Sequence, residues 1–277
     1  MRHRSILEYR QFLYLKIATV ACLAAVVAYA WHQPPVKPYG GTWLGYTLGT
    51  IGALLILWLM WFGVRKRRYS SNAGTVQGWL SAHVYLGTSL LVVATLHTGL
   101  ELGWNVHTLA YALMVAVIAS GFYGVFVYLR VPGMMTTNLG EDTLDSLLLR
   151  IAEIDRALAE KSLGLPDEML AVVTQSIKGT RLGGGFLRIL SGDDPGCPTT
   201  AAAIALPQLA KRLSGEAAVL NREVYSLLLQ KQELLSKARR NMRYKALLDL
   251  WLYVHVPLAL ALLAALAAHV AIVFLYW

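Results

Sequence analysis

The chain has 277 residues, of which 56% are hydrophobic and only 15% charged, with a formal net charge of +9. Soluble globular domains carry about 25% charged residues, so this composition excludes an ordinary soluble domain and, with equal force, a disordered chain. Two cysteines, Cys22 and Cys197, are too few and too distant for a disulfide framework or a thiolate metal site, which leaves seven histidines as the main chemical resource.

In chain order, five apolar runs stand out, at residues 12–31, 43–64, 79–100, 107–129 and 250–275. Each reaches the ~20 residues that a helix needs to cross about 30 Å of hydrocarbon. The expected fold is therefore an all-α membrane protein with five transmembrane helices. The first run carries Ala28-Tyr29-Ala30, which imitates a signal cleavage site, but the run is longer than a signal core and is read as retained. All eight tryptophans fall near the expected ends of the spans, as an aromatic belt at headgroup depth requires.

Outside residues 131–248 there are ten Lys/Arg (Arg2, Arg4, Arg10, Lys16, Lys37, Arg65, Lys66, Arg67, Arg68, Arg130) against Glu8, Glu101 and Asp249. With a cytoplasmic N-terminus, all of the basic residues except Lys37 lie on the inner side, as the positive-inside rule demands. The expected location is a bacterial inner membrane, with the N-terminus cytoplasmic and the C-terminus periplasmic. Helices one, three and five then run outward, and three and five are parallel. No concentrated basic groove remains, so nucleic acid is not an expected partner; the lipid bilayer is.

The expected organisation is residues 1–130 as helices one to four, 131–248 as a cytoplasmic helical insertion, and 249–277 as helix five. Within the insertion, Leu144, Leu147, Leu148, Ile151, Ile154 and Leu158 recur at helical spacing, which predicts a helix over 143–161. A short helix is expected after Pro166, a loop over 183–198, and a long amphipathic helix from about Pro207 into the fifth span. The insertion reads as a helical hairpin packing on itself and as a docking platform for a cytoplasmic partner.

Helix three contains His83 and His97, and helix five contains His255 and His269, each pair enclosing thirteen residues. A separation of 14 residues is close to four helical turns, so both histidines of a pair share a face, about 21 Å apart along the axis. In parallel helices His83 faces His255 and His97 faces His269. Histidine inside hydrocarbon needs a partner or a function, and haem iron supplies one by taking imidazole nitrogen axially. Two bis-histidine haem b sites follow, an inner one on His83 and His255 and an outer one on His97 and His269. Zinc is a weaker rival, because each depth offers two imidazoles and no further ligand. The glycines Gly45, Gly49, Gly52, Gly63, Gly121 and Gly124 and the alanines of helix five would allow close approach of a macrocycle or a helix, and Pro257 would bend the first turn of helix five. Arg65 is among the cations available to a haem propionate. His3 is read as solvated, and His32 and His107 as interfacial residues or parts of a quinone, proton-handling or third haem site.

The paired His-x13-His motifs on two parallel helices resemble the di-haem core of cytochrome b from quinol oxidoreductases. Their place on helices three and five is also similar to the membrane domain of ferric reductases and NADPH oxidases. The resemblance covers helices two to five without the insertion. It implies an electron-transfer subunit of a membrane oxidoreductase with haem, and quinone as a further cofactor. No Pro-Glu-Trp-Tyr quinol-site motif is present, and Trp277 follows directly on helix five. The electron donor and acceptor are therefore expected elsewhere: a cytoplasmic iron–sulfur or flavoprotein subunit docking on 131–248, and quinone or a periplasmic cytochrome. The alternatives are a self-sufficient transmembrane reductase of metal ions or oxygen, and a non-redox membrane anchor.

Overall fold

The computed structural model describes residues 6–34, 39–67, 74–192 and 194–275. Arg2, His3, Arg4, Lys37, Arg68 and Trp277, and the side chains of Lys66 and Arg67, lie outside the described residues. The described secondary structure is entirely helical: α1 (Leu13–Trp31), α2 (Trp43–Arg67), α3 (Val76–Thr98), α4 (Val106–Leu139), α5 (Leu144–Lys161), α6 (Asp167–Gly179), α7 (Phe186–Ser191), α8 (Pro198–Leu209) and α9 (Gly215–Leu275), with short 3-10 turns between some of them. Among the described residues, five of these helices (α1, α2, α3, α4 and α9) are long and apolar enough to cross a membrane. The chain is that of a multi-pass, all-helical membrane protein.

The chain divides into two compact units. One comprises Met1–Leu129 and Trp251–Trp277, the other Arg130–Leu250. In the first, α3 packs against both α1 and α2. Thr75 caps the N-terminus of α3 by accepting from the Gly78 amide at 3.1 Å, and Gly99, at φ 59°, ends it in the left-handed conformation that glycine tolerates best. The outward face of α1 leaves Val20 and Leu23 more than half exposed, a surface suited to lipid rather than water. Leu44, Leu48 and Val93 form one small apolar core. Ile56, Leu59, Leu90, Met114 and Leu262 form a larger one, contributed by α2, α3, α4 and α9.

The second unit is built from two adjoining apolar cores. Leu158, Met169, Val173, Leu206, Val224 and Leu228 form one, and Leu147, Ile151, Cys197, Leu234, Leu235 and Ala238 the other. Thr143 and Ser146 close a capping box on α5, and α6 follows Pro166. The structure differs from the sequence reading in four respects. The expected loop contains α7, which ends at Gly192 with φ 75°. The expected helix from Pro207 is two helices: Pro207 lies inside α8, and the chain turns at Gly215 (φ 64°), where α9 begins. Consequently the elements that pack together are α5, α6, α8 and α9, more than a simple hairpin. Pro257 also lies deep inside α9 and not in a first turn.

Two polar features cross the second unit's core. Lys231, 1% exposed, pairs with Asp155 at 2.6 Å and donates to the Ser176 carbonyl at 2.9 Å. Arg239 donates to Asp194 at 2.8 Å and to the Cys197 sulfur at 3.2 Å. Burial pushes the Cys197 thiol up, but the hydrogen bond and charge of Arg239 and the backbone amides of Thr200 and Thr199 outweigh it and hold its pKa below the ordinary value.

Candidate haem-binding histidine pairs

The first unit brings the four histidines together in two pairs. The imidazole centroids of His83 and His255 are 6.4 Å apart, and those of His97 and His269 are 6.0 Å apart. Lower number meets lower and higher meets higher, so α3 and the 251–275 stretch of α9 run parallel. All four rings are half-buried.

Each ring is held by a different neighbour. The Nδ1 of His97 lies 2.8 Å from the Gly45 carbonyl oxygen. A carbonyl can only accept, so Nδ1 carries the proton and Nε2 keeps a free lone pair. Gly49 makes room for this ring, since a Cβ there would meet the His97 Cε1 at 2.6 Å. The Nδ1 of His255 lies 2.8 Å from the Ser120 hydroxyl, whose own proton goes to the Val117 carbonyl at 2.7 Å. Ser120 is then the acceptor, and His255 too presents an unprotonated Nε2. His83 packs on the Phe62 ring at 5.3 Å, with the Leu59 backbone as its polar neighbour. The Nδ1 of His269 meets the Nδ1 of His107.

Two imidazoles on opposite sides of one iron need ring centroids roughly 6.4 Å apart, given a metal–nitrogen bond of about 2 Å and a ring nitrogen just over ~1 Å from its centroid. Both separations match that requirement. Edge-to-face contact of two rings, the arrangement of both pairs, falls in the same range of separation. In His97 and His255 the Nδ1 is engaged in a hydrogen bond and the Nε2 is left available, the state in which an imidazole can ligate haem iron. Among the described residues no three His, Cys, Asp or Glu side chains converge on one point, which is what a protein-ligated zinc site would need.

Between the pairs lies the larger apolar core, where Leu59, Leu90, Met114 and Leu262 are each under 9% exposed. Leu90 and Leu262 sit seven residues from both histidines of their own helix, on the same face. At the end of α2 beyond Phe62, the buried Arg65 donates to the Gly74 carbonyl at 2.8 Å.

Several contributors are not evident from the histidine spacing alone. Gly49 makes room for the His97 imidazole, whereas a Cβ at Gly45 would meet the backbone of Tyr39 and Gly40. Gly124 faces the Trp251 ring, and Gly63 has open space around its α-carbon. His107 meets His269, whereas His32 packs edge-on against Trp43 at 5.1 Å. No family model, curated protein or solved structure matches the chain.

Proposed function

We infer that the chain is the b-type cytochrome subunit of a membrane oxidoreductase, carrying electrons across the bilayer through two bis-histidine haems. The observation that carries this reading is the two imidazole pairs at iron-ligand spacing on parallel helices, with an apolar core between them. His83 and His255 would hold the inner haem, and His97 and His269 the outer. Haem bound there supplies reversible one-electron chemistry at two depths of the membrane.

The chain's own residues do the rest. The Gly45 carbonyl and the Ser120 hydroxyl fix the tautomers of His97 and His255 and raise their basicity as ligands. Leu59, Leu90, Met114 and Leu262 exclude water between the two pairs, keeping that gap at low dielectric. The basic residues clustered beside α1, α2 and α4 orient the chain in a bacterial inner membrane with the N-terminus inside and the C-terminus in the periplasm. That orientation gives the Arg130–Leu250 unit to the cytoplasm, where an iron–sulfur or flavoprotein subunit would dock. Quinone or a periplasmic cytochrome would exchange electrons on the outer side.

A reduced-minus-oxidised spectrum with a haem-to-protein ratio tests the reading. Two b-type haems per chain are expected, falling to one in His83→Ala and to one in His269→Ala. Protein purified from haem-replete cells without a b-type spectrum would overturn it and leave a haem-free anchor. A periplasmic reporter fused after residue 275 tests the orientation, and activity of a cytoplasmic reporter there would reverse it.

A further inference from the structure

His107 belongs to neither pair, yet it touches one of them. It lies in the first turn of α4, and its ring meets that of His269 edge-on, with centroids 4.4 Å apart and planes at 89°. Their Nδ1 atoms are in direct hydrogen-bonding contact. The centroid separation decides between two roles for His107. Flanking a metal requires roughly 6.4 Å between ring centroids, so at this distance His107 and His269 are not a ligand pair. They are a donor and an acceptor.

Which ring donates follows from the reading above, on which this inference rests. If His269 ligates through Nε2, its one proton sits on Nδ1, and His269 is the donor. His107 then accepts on Nδ1 and carries its own proton on Nε2. The ligands thus differ in the acceptor at Nδ1: a carbonyl for His97, a hydroxyl for His255 and an imidazole nitrogen for His269. In the outer pair both ligands have an Nδ1 acceptor, one of them an imidazole. In the inner pair the acceptor at 2.8 Å is the neutral Ser120 hydroxyl. Acceptors at this position raise ligand basicity, and a more basic ligand favours the ferric state.

We propose that His107 is a positioning residue for the outer site: it accepts the Nδ1–H of His269, fixes that ring's tautomer, and lowers the midpoint potential of the outer haem. The residue acts through His269 and does not bind iron.

The test is a potentiometric titration of the full-length protein in detergent, followed by haem absorbance and by the ferric low-spin electron paramagnetic resonance signal. The outer midpoint is identified as the one missing in His97→Ala. In His107→Ala both haems are retained and the outer midpoint rises by at least about 59 mV, a tenfold change in the reduced-to-oxidised ratio at fixed potential. The inner midpoint stays where it was. His107→Gln, whose amide oxygen can accept the same proton, returns the outer midpoint toward wild type. Ser120→Ala shifts the inner midpoint alone, in the same direction.

An unchanged outer midpoint in His107→Ala overturns the proposal. So do equal shifts in the Ala and Gln variants, which would mark a packing role, and loss of the outer haem in both variants, which would make His107 a ligand. Wild-type protein without haem fails in a distinguishable way, since it removes the parent reading before any midpoint is measured.

Discussion

Leu90 on α3 and Leu262 on α9 meet in one apolar core, each midway between the two histidines of its own helix. The same seven-residue step that returns a helix to nearly one face places an imidazole, a leucine and a second imidazole in line on both helices. The two pairs are thereby separated by a layer that is 3% and 5% exposed at its centre.

Replacing Leu262 by alanine would leave a cavity in this layer. Large-to-small changes in cores cost about 2–5 kcal/mol, and the low end, about 2 kcal/mol, is expected where lost packing rather than re-exposure to water dominates. The detergent-solubilised variant should melt earlier than wild type while keeping its full haem content. A normal melting temperature would show that Leu262 packs loosely.

Gly49 and Gly52 lie one turn apart on α2 but predict opposite outcomes. A Cβ at Gly49 meets the His97 ring at 2.6 Å, and that ring cannot retreat without giving up its hydrogen bond to the Gly45 carbonyl. A Cβ at Gly52 meets only Leu90 and Val93, at 3.9 Å. Gly49→Ala should therefore lose the outer haem, taking the haem-to-protein ratio from two toward one, while Gly52→Ala keeps both. Equal haem content in the two variants would show that His97 has another place to go.

In the Arg130–Leu250 unit, Lys231→Met should be strongly destabilising. It removes the cation that faces Asp155 and the Ser176 carbonyl from a site that is 1% exposed. Breaking a buried pair from one side costs about 3–5 kcal/mol, and about 3 kcal/mol is expected because the Asp155 side chain retains 23% exposure. Adding Asp155→Asn should recover part of the loss. Thermal unfolding or limited proteolysis of the two variants reads the difference, and a double variant no better than the single would rule out the carboxylate as the cause.

Cys197 gives a pH dependence of definite sign. Its folded-state pKa is lowered from 9.0, so folding favours the thiolate. The resulting stabilisation is absent below the folded pKa, grows as pH rises toward the unfolded value, and is fully present above it. It is lost again as pH falls through the folded pKa. The melting-temperature gap between wild type and Cys197→Ser should therefore widen from about pH 7 to about pH 9.5. A gap that stays constant over that range would mean the thiol is neutral throughout.

The sequence by itself determined the helices that can span a membrane, because length and apolar composition are local properties that need no partner. It also determined which histidines share a face: a 14-residue interval repeats a helical position whatever surrounds it. Helical spacing located α5, though not its cap at Thr143, and Pro166 marked the start of α6. Local chemistry misplaced the start of α9, because Pro207 is tolerated inside α8 while the turn at Gly215 depends on a left-handed backbone that one glycine among many does not announce.

Only the tertiary structure decided what each imidazole leans on. The Gly45 carbonyl, the Ser120 hydroxyl and the His107 ring reach their partners from 52, 135 and 162 residues away in the chain. No periodicity encodes such contacts, since they depend on how α2, α4 and α9 rotate about their own axes when packed. Helical spacing fixed where the histidines stand; packing fixed which nitrogen each one leaves free.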